Sequence, residues 1–189
     1  MCGIGGYWTH NFSEDPEKMK RKLLRMADSQ KHRGPNSGGI FIDRRGRMGL
    51  CHRRLSIIDL SELGSQPMTS EDRRWTVVYN GEWYDHLYHR SAIGGGWKSS
   101  SDTETLVESI AKFGIEETLP KIDGMFSFAA WDCEEEKLHI VRDRFGIKPI
   151  YIGQQNGVTI FSSELSGFFS NGDFNMEVDP EAVLSFLRL

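Results

Sequence analysis

The sequence predicts an α+β fold in which mainly antiparallel sheets have helices between and around their strands. Three observations predict it. Short runs rich in β-branched and aromatic residues recur along most of the chain, as in GIFID, WTVVYN and VTIFSSE. Several runs follow one another too closely for the crossover helix that parallel pairing requires. Stretches beginning at Asp15 and near Asp102 instead space their apolar residues at the helical period.

The elements follow in order. Cys2 to Tyr7 is short, partly apolar and Gly-rich, and reads as a strand packed closely against other backbone. Asp15-Pro16 opens a helix with Met19, Leu23, Leu24 and Met26 along one face, and it stops before the loop HRGPNSGG. Strand-like runs come next at GIFID, MGLCHRRLSIIDL and WTVVYN. A helix from about Asp102 carries Leu106, Val107, Ile110 and Ala111, with Ser101 or Asp102 as its cap and Glu104 in its first turn. GMFSFAAWD and KLHIVRD read as paired strands around an acidic turn, and GIKPIYIG with VTIFSSE as a further pair. DPEAVLSFLRL opens a helix with Asp179 as cap and Pro180 at its first position. A helix opening so near the last residue leads us to expect a longer natural chain. The expected division is one domain over 1–178 and the start of a connection over 179–189.

Bulk properties narrow the function classes. A length of 189 residues suits one large domain, or one domain plus the start of another. Charged residues make up 26% and the net charge is only −4, so neither nucleic acid nor a membrane surface is expected as a partner. Cys2, Cys51 and Cys133 are odd in number and lack CxxC spacing, which argues against a disulfide framework and a zinc site. The histidines also lack metal-ligand spacing, so no metal is expected, and a reducing cytoplasm fits best. The longest apolar run, Met125 to Trp131, is too short to span a bilayer, and the N-terminus has no secretory pattern.

Several stretches carry chemistry under one of two readings. If Met1 is removed, Cys2 bears both a thiol and a free α-amine, a nucleophile with its own base; otherwise it is a small packing residue. Asn80-Gly81 is a turn signal, or an amide and a backbone N–H that converge on an oxyanion. Arg54 is a surface ion-pair residue or a planar fork for a carboxylate. Asp102 is a helix cap or an acceptor for a substrate ammonium. Arg142, Asp143, Arg144, Gly146 and Lys148 suggest an anion site, but we prefer a buried turn with paired ions and unusual φ at Gly146.

Taken together, MCGI, HRGP at 32–35, RLSIIDL at 54–60, QPM at 66–68, NGE at 80–82, SDTE at 101–104, GMF at 124–126, RDRFGIKP at 142–149 and SSE at 162–164 stand in one fixed order. In this the chain resembles the N-terminal glutaminase domain of glutamine-hydrolysing asparagine synthetases. These are a branch of the class II, N-terminal nucleophile, glutamine amidotransferases. The resemblance covers nearly the whole chain. It implies a four-layer αββα sandwich, the N-terminal nucleophile hydrolase fold. It also implies that Met1 is removed, that Cys2 attacks the carboxamide of L-glutamine, and that Asn80 and the Gly81 N–H hold the oxyanion. Water then hydrolyses the thioester to glutamate.

By the same resemblance Arg54 binds the α-carboxylate, assisted by backbone around Ile57 and Ile58, while Glu82 and Asp102 bind the α-amino end. A C-terminal synthetase domain of the same natural chain is the implied partner. It would use ATP and Mg²⁺ to amidate a carboxylate, with aspartate the expected acceptor and a sugar acid the alternative. No cofactor is expected in this stretch, which lacks an SGG[ILV]DS-type pyrophosphate loop, and a homodimer is compatible with the resemblance. A catalytically silent domain of this fold and an amidase for another substrate are the competing readings. The sequence departs from the family pattern at Asn36, Trp83 and Asp85 and in the loose segment SAIGGGWKSS.

Overall fold

The computed structural model describes residues 1–175 and 177–188. In chain order its elements are β1 (Gly3–Thr9), α1 (Pro16–Ser29), β2 (Ser37–Ile42), β3 (Met48–Arg54), β4 (Met68–Thr69), β5 (Trp75–Trp83), α2 (His86–Ile93), α3 (Asp102–Phe113), α4 (Ile115–Thr118), β6 (Gly124–Asp132), β7 (Lys137–Arg142), β8 (Tyr151–Gln155), β9 (Val158–Ser162), α5 (Ser166–Asn171) and α6 (Pro180–Leu187). One sheet has the order β2-β3-β1-β9-β8 and the other β4-β5-β6-β7. Every pairing is antiparallel.

Strand alternation sorts the apolar side chains into three cores and stacks four layers. Ile4, Leu50 and Phe161 of the first sheet meet Val78, Ala129 and Trp131 of the second between the sheets. On the outer face of the first sheet, Tyr7, Cys51 and Ile160 pack under Met19, Leu23 and Met26 of α1 and Phe168 of α5. Val77, Tyr79, Phe126 and Phe128 form the outer face of the second sheet, covered by Leu106, Val107 and Ile110 of α3. The layers are therefore α, β, β, α. Each fully buried large apolar side chain contributes about 1.5–3 kcal/mol, so three cores in a chain of this size hold both sheets at fixed separation.

The helix signals act as read. Asp15 caps α1 by accepting from the Lys18 N–H at 2.9 Å, and Ser101, not Asp102, caps α3 by accepting from the Thr103 N–H at 3.2 Å. Asp179 caps α6, with Pro180 at its first position. Leu24 departs from its expected place. It is exposed, and Ala27 completes the buried face of α1 with Met19, Leu23 and Met26.

Two strand boundaries also differ. MGLCHRRLSIIDL is not one strand, because β3 ends at Arg54 and Leu55 to Leu60 leave the ladder as a loop. Asn80-Gly81 is not a turn, because β5 continues to Trp83 and pairs Asn80 with Ser127 and Gly81 with Phe126. A side chain at Gly81 would put its Cβ 2.6 Å from both the Met125 carbonyl and the Phe126 Cβ. Glycine is required there for close approach to β6. The segments β4, α2, α4 and α5 are short and carry no clear period in the sequence. Among the described residues, no helix is long and apolar enough to cross a membrane.

Candidate active site

Cys2 precedes β1, the middle strand of the first sheet, at one end of the sandwich. Its Sγ accepts from the Leu55 N–H at 3.4 Å and donates to the Leu55 carbonyl at 3.8 Å. Burial pushes the thiol pKa upward, and the Leu55 N–H opposes that shift by favouring the thiolate. Arg33 holds the adjacent backbone, donating from Nε to the Cys2 carbonyl at 3.0 Å and from Nη1 to Glu164 at 2.9 Å. Arg33 lies in HRGP, and its position in that motif was the only sequence signal for this anchoring role.

The outer edge of β5 supplies the next group. Antiparallel alternation sends the N–H groups of Tyr79, Gly81 and Trp83 away from β6. The Tyr79 N–H donates to Gln66 Oε1 at 2.6 Å and the Trp83 N–H to Asp102 Oδ2 at 3.1 Å. Between them, the Gly81 N–H has no acceptor among the described residues. The buried Asn80 Nδ2 is likewise without a partner there. Two adjacent unpaired donors are costly in a folded interior unless something is received by them.

The remaining candidate residues come from the end of β3, the loop after it, β5 and the start of α3. Arg54 is only 7% exposed, yet no carboxylate lies within ion-pair distance of it among the described residues. Its Nη1 donates to the Ser61 carbonyl at 2.7 Å and its Nη2 to the Asp59 carbonyl. These bonds orient the guanidinium but leave its charge without a counter-ion, which favours capture of an anion. Asp102 is the first residue of α3 and is buried. Burial raises its pKa, opposed by the Trp83 N–H. The Tyr79 hydroxyl neighbours this carboxylate without a hydrogen bond of ordinary geometry. Glu82 makes no side-chain hydrogen bond or ion pair among the described residues, and Ile57 and Ile58 lie on the exposed rim.

One cavity of about 260 Å³ is lined by all eight residues singled out in the sequence: Cys2, Arg54, Ile57, Ile58, Asn80, Gly81, Glu82 and Asp102. These eight bring a thiol, two free donors, one buried cation and two carboxylates, and Asp59 adds a third carboxylate to the cavity's lining. Met1 also lines it, so loss of Met1 would enlarge it. Gln66 and Lys148, the latter from the stretch weighed above as an anion site, line it too.

The RDRFGIKP stretch forms a turn with Gly146 at φ +63° as expected, but its ions form no ion pair among the described residues. Asp143 instead accepts four backbone N–H bonds, from Phe126, Phe145, Ile147 and Lys148, and Arg142 donates to the Gly146 and Lys148 carbonyls. Asn36 accepts from the Ser56 N–H at 3.1 Å, so it helps hold the loop after β3. Asp85 accepts from the Trp83 indole N–H at 2.8 Å, which joins two of the departures to each other. Among the described residues, no group of three or more His, Cys, Asp or Glu is placed to hold a metal ion.

Comparison with known proteins gives a consistent result. The family described as "Glutamine amidotransferase domain" matches residues 1–189. Asparagine synthetase [glutamine-hydrolyzing] 1 of Bacillus subtilis (strain 168) is 33% identical over 99% of this chain and 29% of its own length. Asparagine synthetase [glutamine-hydrolyzing] 2 of the same organism is 37% identical over 90% of this chain and 22% of its own length. Amidase chyE of Penicillium rubens is 34% identical over the whole chain and 28% of its own length. The chain thus spans less than a third of each of these curated relatives. A solved glutamine phosphoribosylpyrophosphate amidotransferase from B. subtilis, complexed with ADP and GMP, superimposes with a TM-score of 0.73. That match is 21% identical and covers 90% of this chain and 44% of that one. It establishes the shared fold.

Proposed function

The chain belongs to the glutamine amidotransferase domain family, and from that premise we propose that its cavity hydrolyses the side-chain amide of L-glutamine through a Cys2 thioester. One observation carries the reading: a single cavity brings the Cys2 thiol beside unpartnered Asn80 and Gly81 donors, with a buried, unpaired Arg54 and Asp102 in its walls. In this reading Met1 is removed and the freed amine of Cys2 takes the thiol proton as Sγ attacks the amide carbon. The tetrahedral oxyanion receives the Asn80 and Gly81 N–H bonds. Proton return to the nitrogen expels ammonia and leaves the γ-glutamyl thioester. Water then adds to the thioester carbon, glutamate departs and the thiol is restored.

Arg54 pairs with the α-carboxylate, while Asp102 and Glu82 face the α-ammonium. Ile57 and Ile58 contribute backbone and rim contacts. Residues 1–178 form the glutaminase domain, and 179–189, including the fully exposed α6, begin a connection to a synthetase domain. That domain uses ATP and Mg²⁺, with aspartate as acceptor, and the glutaminase half needs no cofactor. The protein works in the cytoplasm, and a homodimer is compatible with it. The alternative acceptor is a sugar acid; the competing reading of an amidase for another substrate is favoured by one observation, the relative named Amidase chyE.

The test is ammonia release from glutamine by the protein as it is naturally made, after intact mass establishes that Met1 is absent. Release that Cys2→Ala abolishes supports the reading. No release from correctly processed protein overturns it.

A further inference from the structure

Asp59 lies in the loop after β3, is 8% exposed and has no Lys, Arg or His within ion-pair distance among the described residues. Its charge is held by neutral donors reaching it from two separate segments. Oδ1 accepts the Ser61 N–H at 2.7 Å and the Ser61 hydroxyl at 2.6 Å. Oδ2 accepts the Ser100 N–H at 2.9 Å and the Ser100 hydroxyl at 3.1 Å. Its own carbonyl and that of Ser61 both receive the Arg54 guanidinium. Ser100 stands two residues before Asp102, so one carboxylate ties the loop that aims the cation to the loop that delivers the anion. Gln66, later in the same connection, adds one further side-chain link, donating to the Thr103 hydroxyl beside Asp102 at 3.1 Å.

The loop leading to Asp102 is secured on its other sides as well. Arg90 donates to the Ser99 and Ser101 carbonyls, each at 2.7 Å, and Glu104 accepts the Lys98 and Ser99 N–H bonds, each at 2.8 Å. Those bonds close within α2, α3 and their connection. They fix the shape of the loop but not its distance from Arg54. The Asp59–Ser100 contact bears on that distance, with two donors on one carboxylate oxygen where Gln66 makes a single neutral bond to Thr103.

We propose that Asp59 is a positioning residue for substrate specificity, fixing the separation of Arg54 and Asp102 so that the cavity selects an α-amino acid zwitterion at both ends together. This rests on the glutaminase reading above. Asp59→Asn retains size while replacing one carboxylate oxygen with an amide that cannot accept. It is expected to raise the KM for glutamine by about 10-fold or more, while kcat changes by less than about 3-fold, as the loss of a hydrogen bond to a charged group that binds but does not react. Glutaramate, which lacks the α-amino group, should lose much less. Discrimination between glutamine and glutaramate therefore narrows, a change that general destabilisation would not produce.

Alkylation of Cys2 by iodoacetamide provides the control. Its rate without glutamine should match the parent, whereas the glutamine concentration needed for protection rises with KM. Ser100→Ala removes only the hydroxyl from the inter-loop contact and should shift the same protection by about 2- to 5-fold. Unchanged protection and discrimination in a folded Asp59→Asn protein overturn the inference. Failure of glutamine to protect the parent overturns the underlying reading instead.

Discussion

The two halves of the cavity are built differently. Cys2, Asn80 and Gly81 follow from strand register: they sit at or beside β1 and β5, whose neighbours pair on both sheets. Arg54 ends β3, Ile57 and Ile58 lie in the loop after it and Asp102 begins α3, with Arg54 and Asp102 held by hydrogen bonds to backbone groups; Glu82, within β5, is the exception among the proposed recognition groups. Under the proposed function, the strand-borne half places reacting groups with the rigidity of three cores. The loop-borne half places recognition groups with hydrogen bonds that can be removed one at a time. Damage to the first should therefore appear in kcat, and damage to the second in KM.

The largest effect expected on the strand side is from Cys2→Ala, which should reduce ammonia release to on the order of 10⁻³ of the parent or less while leaving glutamine binding measurable by calorimetry. Asn80→Ala should lower kcat by about 10²–10³-fold with KM nearly unchanged, the signature of a donor used only in the transition state. A KM increase of that size with kcat preserved would put Asn80 among the recognition groups and erase the division. On the loop side, Arg54→Met should raise KM by about 10- to 100-fold, the range for one charge-assisted contact. Steady-state kinetics separates these outcomes.

A smaller effect sharpens the contrast. Gly64 lies directly over the Arg54 guanidinium, so a Cβ at that position would push the fork aside. Gly64→Ala should raise KM by about 5- to 10-fold, within the 1–3 kcal/mol cost of overpacking. Circular dichroism should show an intact sandwich, because only the loop must move.

Acid should separate the halves as well. His52 of β3 is fully buried, and burial pushes its pKa down to about 3 from 6.5. The unfolded chain therefore binds a proton below pH 6.5 that the fold refuses, so stability falls as pH drops from about 6.5 towards about 3. The Ser61 hydroxyl, and then the Ser61 and Ser100 N–H groups, hold Asp59 down to about 2 from 3.8, so its contribution persists above 3.8 and is lost only as pH falls through about 2. Urea midpoints should show about 1 kcal/mol lost between pH 7.5 and 5.5, and His52→Leu should flatten that slope. A slope unchanged in the variant would assign it to other groups.

The same division marks what could be read from the sequence. The proposed nucleophile stood out by its position at the N-terminus, and the α3 start by Ser101 and the apolar spacing after it, because both are local patterns. Asn80-Gly81 was ambiguous because the pair has the composition of a turn. Its place in a strand depends on close packing against Phe126, a residue 45 positions from Gly81. The clamps were less legible still. Arg33, Asp59 and Gln66 are ordinary polar residues whose partners lie at Glu164, Ser100 and Thr103, and no local periodicity encodes such distant pairings. Each nevertheless lies inside a motif the family resemblance had marked, HRGP, RLSIIDL or QPM. For these residues the motif recorded a role that local chemistry did not announce.

The order of strands also sets a schedule. β1 lies between β3 and β9, so the first strand translated receives one of its two neighbours only when residues 158–162 have emerged. At about 5–20 residues per second, the N-terminal segment waits on the order of 10–30 seconds before its sheet can close. An aminopeptidase needs an extended, accessible terminus, and this interval provides one. Under the proposed removal of Met1, the position of β9 in the chain sets how long the terminus stays without its second strand neighbour during translation.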